Sequence, residues 1–64
     1  MNVELLADRV RAEFDEAPGL VLTMPQAAKF FGLDQEVARW VMDRLVGASY
    51  LRRTRTGALT RRAQ

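Results

Sequence analysis

The sequence predicts a single, mainly α-helical domain that ends in a small β-hairpin. Apolar residues recur at helical spacing in three segments, which predicts three helices. Two short strand-like runs follow, and the loop between them ends in glycine, as many hairpin loops do. A chain of 64 residues supports no more than one domain, with a net stability of about 3–5 kcal/mol.

The first helix is predicted in segment 1–18. Residues 2–17 carry one apolar stripe at helical spacing, which most simply faces the core. The stripe consists of Val3, Leu6, Val10 and Phe14. Asn2 is a suitable N-cap, and Pro18 followed by glycine ends the helix.

A brief strand is predicted at residues 20–22, between the Pro-Gly pair and the next helix cap. The second helix is predicted over Met24–Phe31. Thr23 and Gln26 have the spacing of a capping box at its start. Both side chains can instead donate to phosphate, so a binding role stays open beside the capping role. The apolar face of this helix consists of Ala27, Ala28 and Phe31.

A tight turn, Phe31-Gly32-Leu33-Asp34, connects the second helix to the third. Gly32 can adopt the left-handed conformation that closes a helix, and Asp34 is a favoured N-cap. The third helix is predicted over residues 35–46, and Gly47 is predicted to end it. Two helices joined by such a turn form a helix-turn-helix motif.

The third helix has two distinct faces when each residue advances the helix by 100°. The predicted buried face consists of Ala38, Val41, Met42 and Leu45, and the opposite face carries Glu36, Trp40 and Asp43. Arg39 lies on one flank, and Val37 and Arg44 lie on the other. Both arginines are candidates for ion pairs with Glu36 or Asp43 on the same helix. An exposed Trp40 indicates a contact site, and the alternatives are that the helix is rotated by a small angle or that Trp40 folds back onto the hairpin or the first helix.

The hairpin is predicted over residues 50–62, with strands at 50–54 and 58–62. The intervening Arg55-Thr56-Gly57 is typical of a type I turn with a glycine bulge. Tyr50, Leu51 and Leu59 are the apolar anchors of the hairpin to the core.

Charge is distributed unevenly along the chain. Residues 1–51 hold five cations and all eight acids, a net charge of −3, whereas residues 52–64 hold five arginines and no acid. This basic end predicts an anionic partner, and the alternative is a solvated basic tail.

Composition also excludes several classes of function. Without cysteine or histidine the chain has no disulfide, no usual zinc ligand set and no histidine acid–base pair. We therefore expect neither an enzyme nor a bound cofactor or metal. The absence of cysteine fits a cytoplasmic location. No apolar run approaches the length of a membrane span, so we expect no membrane association. The initial Met and the Arg-Arg-Ala-Gln end lead us to expect a complete small protein.

The stretch LTMPQAAKFFGLDQEVARWVMDRLVGASYLRRTRTGALT resembles the winged helix-turn-helix modules of MarR- and IclR-type bacterial transcriptional regulators. The resemblance covers about residues 20–62 and implies DNA binding, with the third helix in the major groove. It implies that bases face Gln35, Glu36, Arg39 and Trp40, and that the DNA backbone contacts Arg52, Arg53 and Arg55. Ser49 stands where such modules usually have glycine. They usually bind as dimers, so we expect a single copy to bind double-stranded DNA weakly unless it forms a homodimer or has a protein partner.

The same fold also serves as a protein-docking module. Under that hypothesis the contact surface is Glu36, Val37, Trp40 and Asp43, and its acidic groups meet a basic partner.

Overall fold

The computed structural model describes residues 2–62, which form three helices and a small three-stranded antiparallel sheet. The elements in chain order are α1 (Val3–Glu16), β1 (Val21–Leu22), α2 (Met24–Phe31), α3 (Gln35–Gly47), β2 (Leu51–Arg53) and β3 (Leu59–Arg61). The prediction of a mainly helical chain with a small β-hairpin is therefore confirmed.

The element bounds differ from prediction mainly at the ends. Residue 1 of the predicted first segment lies outside the described residues, and Pro18 lies beyond the end of α1. Strand β1 omits Leu20, and β2 and β3 have three residues each instead of five. The strand ends are set by hydrogen bonding to the neighbouring strand and not by amino-acid composition, because a strand extends only as far as its neighbour offers backbone partners.

The sheet has the order β1-β3-β2, so the hairpin partner β3 lies in the centre. Strand β1 pairs with β3 in the register Val21↔Thr60, and β2 pairs with β3 in the register Leu51↔Arg61. The buried Thr60 hydroxyl donates to the carbonyl oxygen of Leu20 at 3.0 Å. The segment before α2 is thereby fixed to the hairpin.

The inner face of α3 forms the centre of the core. Its four predicted inward residues are all fully buried, and they are Ala38, Val41, Met42 and Leu45. Residues from each other element complete the same core, among them Val10, Phe14, Leu22, Ala27, Phe31, Leu51 and Leu59. Burying a large aliphatic or aromatic side chain contributes about 1.5–3 kcal/mol, so this cluster fixes which way α3 faces.

The helix starts follow the sequence closely in two of three cases. Asn2 Oδ1 accepts from the backbone N–H of Glu4 at 3.0 Å, and Thr23 and Gln26 form the reciprocal capping box at α2. Asp34 is the N-cap residue of α3, but its side chain makes no capping hydrogen bond. Asp34 is thus the predicted N-cap residue without the hydrogen bond usual at that position, and its contribution is limited to the favourable placement of negative charge at the helix N-terminus.

Helices α2 and α3 end in the same hydrogen-bond motif, in which a left-handed residue turns the chain back. At α2 this residue is Gly32, with φ of 67°, and Leu33 N–H donates to the Ala28 carbonyl oxygen at 2.8 Å. At α3 it is Ser49, with φ of 62°, and Tyr50 N–H donates to the Leu45 carbonyl oxygen at 3.0 Å.

Helix α3 ends at Gly47, as the sequence predicts, but a different residue reverses the chain. Gly47 is the last helical residue, and the chain reverses two positions later at Ser49. The left-handed conformation brings Cβ close to the following carbonyl oxygen in any residue other than glycine. The position therefore carries backbone strain that the hydrogen bonds of the motif offset.

Replacing Ser49 with glycine is expected to stabilise the protein by about 0.5–1 kcal/mol, because the relief of strain exceeds the added freedom of the unfolded chain. Chemical denaturation measured by circular dichroism tests this. Ser49→Ala is the matched control, since it removes the hydroxyl but keeps the strain. An equal gain from alanine would contradict the argument.

Candidate nucleic-acid interface

The outer face of α3 is open to solvent. Trp40 is 60% exposed, which is very high for the largest side chain in the protein. It lies in a shallow surface depression lined by Gln35, Glu36, Val37, Arg39, Trp40 and Asp43. The structure thus brings together all six of the α3 residues assigned to either binding surface, and Trp40 does not fold back onto the core.

An ion pair connects this face to the hairpin. Arg53 Nη2, on β2, donates to Asp43 Oδ1, on α3, and about half of each side chain is exposed. Arg53 lies on the same face of the hairpin as Leu51, because side chains alternate along a strand. That face points toward the helices, which brings the guanidinium group to the end of the Asp43 side chain. Ten residues separate the partners, so no local spacing rule indicated the pair.

The ion pairs that were predicted within α3 do not form. Arg44 reaches α1 instead, where its Nη2 lies 2.5 Å from Glu4 Oε1. Within residues 2–62, Arg39 makes no ion pair. Arg39 is therefore an uncompensated cation beside Trp40 on the outer face, and Glu36 is an uncompensated acid there.

The hairpin loop has the predicted geometry of a type I turn followed by a glycine bulge. Gly57 has φ of 86°, and its N–H donates to the Thr54 carbonyl oxygen at 3.0 Å. The backbone N–H of Thr54 donates in turn to the Ala58 carbonyl oxygen at 2.7 Å, and the Thr54 hydroxyl accepts from the Ala58 N–H. The bonds around the loop fix its backbone, and Arg55 projects from it into solvent.

The three hairpin arginines assigned to phosphate contact differ in their surroundings. Arg53 is held by Asp43, whereas Arg52 and Arg55 are exposed and make no ion pair within the described chain. Arg52 lies opposite Thr60 across the β2–β3 ladder, on the face of the sheet away from Leu51. The hairpin therefore offers uncompensated charge at its loop and on its outer surface.

A second polar cluster attaches the base of the hairpin to α1. The Tyr50 hydroxyl donates to the Asp15 carboxylate and lies 3.0 Å from the Arg11 carbonyl oxygen. The guanidinium groups of Arg11 and Arg61 lie 5.8 and 5.9 Å from the centre of the Tyr50 ring, and Arg61 Nε lies 3.5 Å from Asp15 Oδ1. The sequence predicts Tyr50 only as an apolar anchor, and it gives no indication of these hydroxyl contacts.

Thr23 and Gln26 have a sufficient structural explanation in the capping box. Across residues 2–62, no helix is both long and apolar enough to cross a membrane. In the same part of the chain, no three His, Cys, Asp or Glu side chains are grouped so that they could hold a metal ion. Comparisons with protein-family models, curated proteins and solved structures found no match to this chain.

Burial and the hydrogen bond to the Asp15 carboxylate raise the pKa of Tyr50 above its ordinary value. A raised pKa means that the neutral phenol is favoured by folding, so its stabilisation is complete below about pH 10 and is lost as pH rises through the folded-state pKa. We expect the stability of the wild-type protein to fall in this alkaline range. Tyr50→Phe is expected to lack that part of the decline, and melting temperatures measured from pH 8 to 11 test the difference. Identical alkaline profiles for the two proteins would refute the role of the hydroxyl.

Proposed function

We propose that this protein binds double-stranded DNA through the outer face of α3 and the hairpin loop, as a winged helix-turn-helix module of bacterial transcriptional control. The observation that carries the proposal is the arrangement of charge next to Trp40. Asp43 is compensated by Arg53, and Arg39, Arg52 and Arg55 make no ion pair within residues 2–62.

The order of the elements supports the winged-helix assignment. A short strand lies between α1 and α2, the helix-turn-helix pair follows, and the hairpin then pairs with the first strand. In this arrangement the ion pair from β2 to Asp43 holds the hairpin beside the exposed face of α3. A helix in the major groove with an adjacent arginine-bearing loop on the DNA backbone is a geometry that suits both elements.

The charge on α3 agrees with DNA binding better than the sequence alone indicated. Two carboxylates on a groove-facing helix would repel an approaching duplex, but in the free protein the pairing of Asp43 with Arg53 leaves only Glu36 of the two uncompensated. A glutamate can accept a hydrogen bond from cytosine N4, whereas Gln35 and Arg39 are suited to adenine and guanine. Arg52 and Arg55 would contact phosphates and supply affinity that does not depend on sequence.

A single copy is expected to bind weakly. Regulators of this kind usually place two modules on half-sites one helical turn apart. Leu5, on α1, is 66% exposed and is available to contact a second copy or a partner. Cooperative binding of two copies to a duplex with two half-sites would indicate such a homodimer.

Titration of the protein with duplex DNA at low salt tests the proposal directly, because Trp40 is the only tryptophan and lies in the proposed interface. We expect a saturable change in its fluorescence that weakens steeply as salt rises, since phosphate contacts release counterions. An unchanged emission spectrum, together with no mobility shift of the DNA, would refute DNA binding.

The double variant Arg52→Ala/Arg55→Ala tests which cations contact the DNA. Removing two phosphate contacts is expected to reduce the slope of log affinity against log salt by about 1.8. The matched control is Arg9→Ala/Lys29→Ala, which removes the same charge from α1 and α2 at two side chains that make no ion pair within residues 2–62. Equal losses in the two double variants would show that only net charge matters and would contradict a hairpin contact.

The exposure of Trp40 favours a second candidate function, a docking surface for a basic protein partner. Val37 and Trp40 would supply its apolar centre and Glu36 its charge complementarity, whereas Asp43 is already paired. Under this hypothesis Trp40→Ala abolishes the protein complex, while the Arg52→Ala/Arg55→Ala variant retains it. Loss of DNA binding in both variants, with no protein complex in either, would favour the DNA interface.

A further inference from the structure

The Asp43–Arg53 pair lies where two requirements of the proposed function conflict. Arg53 belongs to the basic hairpin, and Asp43 belongs to the face of α3 that would approach DNA. Within residues 2–62, this is the only ion pair between α3 and the hairpin. In the free protein, therefore, one hairpin cation is occupied by an internal carboxylate.

Carboxylate and phosphate present similar acceptors to arginine, since both offer charged oxygens to the planar guanidinium group. The two side chains are about half exposed, so water and an incoming anion have access to them. Exposed ion pairs are weak, commonly about 0.2–1 kcal/mol. A DNA phosphate at the same position can therefore displace the carboxylate without disrupting the core.

We infer that Asp43 is an internal substitute for a DNA phosphate, which holds Arg53 in the free protein and releases it to the DNA backbone on binding. This inference rests on the proposed DNA-binding function and adds a means by which that binding is weakened. Once Arg53 has moved to phosphate, Asp43 is left uncompensated in the negative potential of the duplex. Asp43 thus opposes binding twice, by competing for the cation and by repelling the DNA.

The pair has a second consequence for the free protein. The Asp43 carboxylate positions the Arg53 side chain beside the exposed face of α3, so the guanidinium group is close to the surface where a phosphate would arrive. If positioning were the whole effect, removing the carboxylate would weaken binding. Competition and positioning therefore predict opposite signs for the same substitution.

The substitution that separates them is Asp43→Asn, which keeps the size and polarity of the side chain and removes its charge. We expect this variant to bind duplex DNA about two- to fivefold more tightly than Glu36→Gln does, as release of an exposed ion pair implies. Glu36→Gln is the matched control, because it removes the same charge from the same face of α3 but breaks no ion pair, and a duplex of random sequence averages out any base contact of Glu36. Affinities are measured by fluorescence anisotropy of a labelled duplex at a fixed low salt concentration.

The Arg53→Ala background isolates the exchange. Without Arg53 there is no cation to release, so the advantage of Asp43→Asn over Glu36→Gln is expected to vanish there. Circular dichroism spectra and denaturation midpoints of all variants show whether each is folded. Because the substituted side chains are about half exposed or more, we expect the denaturation midpoints to stay close to that of the wild-type protein.

Two results would overturn the inference, and they are distinguishable. If the wild-type protein binds DNA but Asp43→Asn binds no more tightly than Glu36→Gln, the exchange is wrong and DNA binding stands. If neither the wild-type protein nor Asp43→Asn binds DNA, the proposed function is itself wrong and the exchange fails with it. An equal advantage of Asp43→Asn in the presence and absence of Arg53 would also refute the exchange, because it would reduce the effect to simple charge repulsion.

Discussion

Burial of one face of α3 is the constraint on which the rest of the structure depends. All four of its inward side chains are completely inaccessible to solvent, and residues from both other helices and all three strands belong to the same core. Rotating α3 by a quarter turn would expose part of this face and carry charged flanking residues into the core. Such a rotation would cost several kcal/mol, since each large apolar side chain contributes about 1.5–3 kcal/mol on burial. In a domain of 64 residues this exceeds much of the available stability.

The position of Trp40 follows from that constraint. With Ala38, Val41 and Met42 directed inward, residue 40 must point outward, because it lies on the opposite side of the helix. The exposed tryptophan is thus not a consequence of poor packing. The core excludes it from the interior, and the proposed contact surface accounts for a tryptophan at this exposed position.

The parts of the structure that the sequence predicted well are those governed by local rules. Helical periodicity identified the inner face of α3, and the Thr54–Ala58 loop adopted the turn that its glycine position indicated. The capping box of α2 and the left-handed Gly32 follow from the same kind of short-range chemistry. In each case the determining residues lie within a few positions of one another, so their geometry does not depend on the tertiary fold.

The parts that were missed depend on tertiary distances. Asp43 and Arg53 meet only because the hairpin folds against α3, and Tyr50 meets Asp15 across a separation of 35 residues. Arg39 has helical spacing to Glu36 and Asp43, but Asp43 pairs with Arg53 on the hairpin, and Arg44 pairs with Glu4 on the neighbouring helix. Local spacing gives an exposed pair only a few tenths of a kcal/mol, so a partner on another element readily replaces it. Ser49 was noted as standing where similar modules usually have glycine, but its left-handed conformation was not predicted. Serine has no preference for that conformation, and the hydrogen bonds at the end of α3 impose it.

The distribution of ion pairs also changes the meaning of the basic C-terminal segment. From the sequence, its five arginines appeared as a uniform charge that was either a binding surface or a solvated tail. In the structure, Arg53 and Arg61 pair with acids on α3 and α1, and these pairs connect the hairpin to the helical body at its two ends. A solvated tail would make no such contacts, so that alternative does not describe residues 51–61. The five arginines therefore divide into two groups: Arg53 and Arg61 pair with acids of the protein, whereas Arg52, Arg55 and Arg62 have no acidic partner within residues 2–62. Only the second group is immediately available to an anion. The net charge of the segment thus overstates the number of phosphate groups it can contact, because two of its arginines are already paired with acids of the protein.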